Sequence, residues 1–108
     1  MTHAMRPIHP QAVPNDPLAV RWVVRTGTRG VVGEVVAAPD PFGALMRDRV
    51  VALALLETEG IWVWLASGNT WADCGPKVRE AILESLDLDG WRINGDSADL
   101  LRLVANDV

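Results

Sequence analysis

Apolar residues fall in short runs of five to eight through the middle of the chain and with a helical period only later, so strands are expected before the main helix. The strongest block is residues 50–66, VVALALLETEGIWVWLA, two apolar runs broken by Glu57-Thr58-Glu59-Gly60. It reads as a hairpin that is greasy on both faces. A three-residue loop, Thr58-Glu59-Gly60, with Gly60 left-handed, is the expected closure. That register pairs Leu56 with Trp62 and Ala54 with Trp64, and puts Val51, Leu53, Leu55, Val63 and Leu65 on the opposite face. Two apolar faces require cover on both sides. Helices can supply one cover; sheet curvature, the leader or another chain must supply the other.

Residues 18–25 (LAVRWVVR) and 31–38 (VVGEVVAA) are two further β-branched runs. Gly27 and Gly30 between them suit a hairpin loop. Val20, Trp22 and Val24 share one face of the first run; Arg21, Val23 and Arg25 share the other. A helical turn is expected over 44–49, after the Pro39-Asp40-Pro41-Phe42-Gly43 breaker. The clearest helix is 76–86, with Pro76 at its first position and Val78, Ala81, Ile82, Ser85 and Leu86 as its stripe. A short strand at 91–93 and a final helix over 98–105, capped by Asp96 or Ser97, complete the pattern.

The expectation is therefore an α+β domain over 18–108: an antiparallel sheet of about four strands in two hairpins, with two C-terminal helices packed on one face. Residues 1–17 contain Pro7, Pro10, Pro14 and Pro17 and read as a flexible, proline-rich leader. With 108 residues, 49% apolar and 22% charged, the chain can bury one core. Nine of its ten basic residues are Arg; with abundant Ala, Val, Gly and Asp this points to a GC-rich bacterial genome.

Charge changes the picture of partners. The net charge of −4 is concentrated in residues 50–108, which repel phosphate backbones, so nucleic acid is not an expected partner. The Gly27-Thr28-Arg29-Gly30 tetrapeptide has the GxxG form of KH-type RNA modules but lies between strands, where those modules place it between helices. The longest apolar run, 50–56, is too short to span a membrane, and 1–17 has no secretory apolar core. A single cysteine, Cys74, excludes an internal disulfide. The expected setting is cytoplasmic, with no membrane partner and no cofactor.

Candidate chemistry is sparse. Cys74 lies just before the expected helix, where the macrodipole stabilises a thiolate, and is the candidate reactive thiol. The only histidines, His3 and His9, lie in the leader, so no base is at hand by sequence. The acids Asp87, Asp89, Asp96 and Asp99 lack calcium-loop spacing. No metal site and no catalytic residues are expected. The hairpin, the cysteine-bearing loop Ala72-Asp73-Cys74-Gly75-Pro76-Lys77 and the following helix together resemble the NifU-type iron–sulfur scaffold domain over about 35 residues. That family holds its cluster through a Cys-x-x-Cys in this loop, and here one cysteine stands alone. The resemblance implies a thiol-redox or iron–sulfur delivery role as the alternative function.

Five tryptophans against one Phe and no Tyr are the remaining signal. Trp joins large apolar area to an N–H donor and is enriched at interface hot spots. Trp62 and Trp64 share one side of a strand, Trp22 extends that surface, and Trp71 and Trp91 sit in connecting loops. These five are the candidate partner-binding residues. The leading expectation is a small non-enzymatic interaction module, an accessory or adaptor subunit or a homodimer; a Trp-lined small-molecule site is a further alternative.

Overall fold

A computed structural model describes residues 6–27 and 32–94. Its elements are β1 (His9–Ala12), β2 (Ala19–Val23), β3 (Gly33–Ala37), α1 (Phe42–Arg47), β4 (Val51–Glu57), β5 (Gly60–Leu65), α2 (Trp71–Ser85) and β6 (Arg92–Asn94). The strands form one antiparallel sheet in the order β1-β2-β5-β4-β3-β6. The α+β class and the antiparallel sheet are as the sequence pattern predicts. The sheet has six strands, however, not about four.

The added strands are β1 and β6, one at each end. β1 lies within the proline-rich leader and pairs Pro10 with Trp22 and Gln11 with Arg21. Proline is tolerated there because an edge strand needs only half its backbone groups. β6 is the short strand expected near 91–93. The runs read as a first hairpin do not pair: β2 lies beside β5 and β3 beside β4, on opposite sides of the central hairpin. Local turn residues mark where a strand ends, not which neighbour the next one finds.

The central hairpin closes one residue tighter than expected. Glu57 pairs with Gly60, Leu56 with Ile61, Leu55 with Trp62 and Leu53 with Trp64, leaving Thr58-Glu59 as a two-residue turn. A one-residue slip moves every side chain of one strand to the other face. Ile61, Val63 and Leu65 therefore join Ala54 and Leu56 toward α2, while Trp62 and Trp64 join Leu53 and Leu55 on the far face. A register shift between Val51 and Leu53 leaves Ala52 exposed and returns Val51 to the helix side. Gly60 is not left-handed; it is a strand glycine kept small by its neighbour. A Cβ there would lie 2.9 Å from the Trp22 carbonyl oxygen and 3.5 Å from the Arg21 guanidinium.

α2 begins five residues before the expected start. Thr70 is extended and its hydroxyl accepts from the Asp73 N–H at 3.2 Å, with Asp73 adding charge to the first turn. Pro76 thus sits inside the helix, where it forfeits the bond to the carbonyl of exposed Ala72; Gly75 ahead of it has no Cβ to meet the proline ring. Cys74, Val78, Ala81, Ile82 and Ser85 form the buried stripe. Burying a Val or Ile side chain contributes roughly 1.5–3 kcal/mol. Ser85, the polar member, is satisfied: its Oγ accepts the Phe42 N–H at 3.0 Å, which ties α1 to α2. Both described helices thus pack into the core on one face of the sheet. The helix expected over 98–105 lies outside the described residues.

Gly60→Ala should destabilise the fold by about 1–3 kcal/mol, because the added methyl meets backbone rather than a movable side chain. Urea denaturation followed by tryptophan fluorescence measures the change. A neutral result would show that β2 and β5 can separate without loss.

Candidate functional site

Strand alternation and the tight turn together gather the polar and aromatic groups of the far face. Trp62 and Trp64 are two residues apart on β5, and their rings stack with centroids 6.4 Å apart and planes at 18°. Arg21 on β2 is the cross-strand partner of Trp62, and its guanidinium carbon lies 5.7 Å from the Trp62 ring centroid. Leu55, the partner on the other side, is fully buried (0% exposed). Val13, Val32 and Trp64 pack against the Leu55–Trp62 pair.

Glu57 joins three of these strands. Its carboxylate accepts from Arg21 Nε at 2.8 Å and Nη2 at 3.1 Å, a two-point guanidinium pair, and from the Trp62 indole N–H at 2.5 Å. Arg21 donates further to Gln11 Oε1 at 3.3 Å on β1. Burial pushes the Glu57 carboxyl up, but the hydrogen bonds from Arg21 and Trp62, with the guanidinium charge, outweigh it and hold the group below its ordinary value. The hydrogen bond to Glu57 raises Arg21, against its own desolvation. Trp64 is fixed separately: its indole N–H donates to Asp16 Oδ2 at 3.0 Å, while the other oxygen of Asp16 accepts from the Leu18 N–H.

The five tryptophans do not form one surface. Trp22 points to the helix side, where it is 3% exposed and meets Trp71 edge-on at 5.9 Å. Trp71 is in the first turn of α2 and donates to the Leu18 carbonyl at 3.0 Å. Trp91 stacks on Phe42 at 5.7 Å and donates to the Ser85 carbonyl at 2.9 Å. Trp62 is 2% exposed, so it supports its neighbour rather than meeting solvent. Trp64, Trp71 and Trp91 are half-buried.

The residues that organise the far face, Arg21, Glu57, Asp16 and Gln11, were not among the candidates read from sequence. Glu57 follows Leu53 and Leu55 at spacing two, so the correct register alone would have placed it beside Trp62. Cys74 packs in the core, with its Sγ 3.8 Å from Asn69 Oδ1. Among the described residues no group of three or more His, Cys, Asp or Glu side chains is placed to hold a metal ion, and no helix is long and apolar enough to cross a membrane.

Two outcomes check this description. The Glu57 carboxyl is lowered on folding, so its contribution is complete above its unfolded value near 4.5 and is lost as pH falls through the folded value. The stability difference between wild type and Glu57→Gln should accordingly be largest at neutral pH and shrink in acid; a difference that stays flat would dissolve the Arg21–Glu57–Trp62 network. Cys74, being buried, should resist a disulfide reagent in native buffer and react fully in urea. Rapid native labelling would return it to consideration as a functional thiol. Comparison with known protein families, with curated proteins and with solved structures returned no match.

Proposed function

We propose that the protein is a small non-enzymatic interaction module, an accessory or adaptor subunit that assembles with its own copy or another protein chain in the cytoplasm. One observation carries this reading. Trp64 is half-buried on the far sheet face, stacked on buried Trp62 and held by Asp16. An aromatic ring fixed in advance loses little conformational freedom when a partner covers it, which is what makes Trp effective at interface centres. Trp62, Arg21 and Glu57 act here as the support beneath that ring.

A Trp-lined small-molecule site is the second reading, and it has its own location. Thr26, Leu56, Leu86, Leu88, Trp91 and Ile93 line a cleft of about 280 Å³ on the helix side, just below the usual range for such sites. The thiol-redox alternative is the weakest, since Cys74 is 5% exposed and lies among apolar side chains.

Sedimentation equilibrium over a wide concentration range, paired with co-purification from the native host, tests the adaptor reading. Trp64→Ala should weaken association by at least about 2 kcal/mol while leaving the fold intact. A wild-type chain that stays monomeric, with co-purifying proteins unchanged by Trp64→Ala, would overturn it.

A further inference from the structure

At the end of the sheet where β2 leaves the core, a cleft of about 510 Å³ opens between the segment entering β1 and the β4–β5 turn. Its wall is apolar, formed by Pro7, Val23 and Val24. Its rim is not. Arg6, His9 and Arg25 bring three basic side chains to it, and Glu59 is the one acid among the described lining residues. The basic groups come from two parts of the chain, Arg6 with His9 and Arg25, so their concentration follows from the pairing of β1 with β2 and not from a single run of charge.

The two arginines differ in how they are already occupied. Arg6 pairs through one terminal nitrogen with Asp87, while its Nη1 is buried with no hydrogen-bond partner among the described residues. An unsatisfied buried donor is costly, more so when it is charged. Arg25 is exposed and makes no ion pair among the described residues. A guanidinium presents forked donors that match two oxygens of one carboxylate or phosphate. The volume falls within the usual range for small-molecule sites.

We propose that this cleft binds an organic anion, a ligand with a carboxylate or phosphate group carried on an apolar body. The oxyanion meets Arg25, with the Arg6 guanidinium beside it as a second positive charge, the His9 ring supplies an N–H donor, and the apolar part lies against Pro7, Val23 and Val24. The site is separate from the Trp64 surface, so either reading stands or falls without the other.

The test uses the full chain with 1-anilinonaphthalene-8-sulfonate as the organic-anion probe. N-phenyl-1-naphthylamine supplies the same apolar body without charge, and inorganic phosphate supplies charge without the body. The sulfonate should bind at one site and shift the backbone amide signals of His9, Val23, Val24 and Arg25. Its affinity should fall with salt, and Arg25→Glu should weaken it about tenfold. Both control ligands should bind at least about tenfold more weakly, since each lacks one half of the complement. Arg25 is exposed, so this variant should fold; His9→Ala, also at an exposed position, is the second variant and should weaken binding about threefold. No sulfonate binding, binding unchanged in Arg25→Glu, equal binding of either control, or shifts centred on Leu86 and Trp91 would each overturn the proposal.

Discussion

Pairing of Glu57 with Gly60 decides which side chains of the central hairpin meet α2 and which meet the far face. Everything the protein presents depends on that register. Gly60 makes it attainable, because the Trp22 carbonyl comes too close to admit a side chain. The turn is secured from outside as well: the Val24 and Thr26 amides donate to the Glu59 and Thr58 carbonyls at 3.1 and 3.2 Å. Thr26 Oγ1 adds a bond to the Glu57 carbonyl at 2.7 Å. The segment that follows β2 thus holds the hairpin in one alignment through two backbone amides and the Thr26 hydroxyl.

The far face shows how a sheet accommodates charge among aromatic rings. An isolated carboxylate against Leu55 and Trp62 would be expensive to desolvate. Glu57 is instead given three donors, and the planar guanidinium that supplies two of them also lies over the Trp62 ring. Removing either charged partner strands the other, which is why such pairs hold geometry more reliably than they raise stability. The result is orientation. Trp62 cannot turn without losing its N–H acceptor, and Trp64 rests on Trp62.

Much of the architecture was legible in the residues. β-branched runs mark β2 and β3, the two apolar runs of residues 50–66 mark β4 and β5, and the Val78–Ile82–Ser85 spacing marks α2. What escaped notice was mostly non-local. Consecutive runs joined by glycines suggest that β2 and β3 pair, whereas the hairpin between them in space comes later in the chain. The N-terminus of α2 was missed for a local reason: Ser67, Gly68 and Asn69 read as loop, Pro76 reads as a first helical residue, and together they obscured Thr70 with Asp73 three positions on. At the candidate site, the stacked Trp62–Trp64 pair was visible from spacing. Its supports were not, because Asp16, Gln11, Arg21 and Glu57 converge from four separate segments.

β1 closes one end of the described sheet, and the position of Pro10 there has a consequence for the outer edge. A bridge between Pro10 and Trp22 cannot use a proline N–H, so the Pro10 nitrogen points away from β2, toward the outer rim of the described sheet. A strand from another molecule laid along that rim would find a ring where it needs a donor. Extension of the sheet from chain to chain, the route by which exposed strands grow into fibrils, is therefore interrupted on this side.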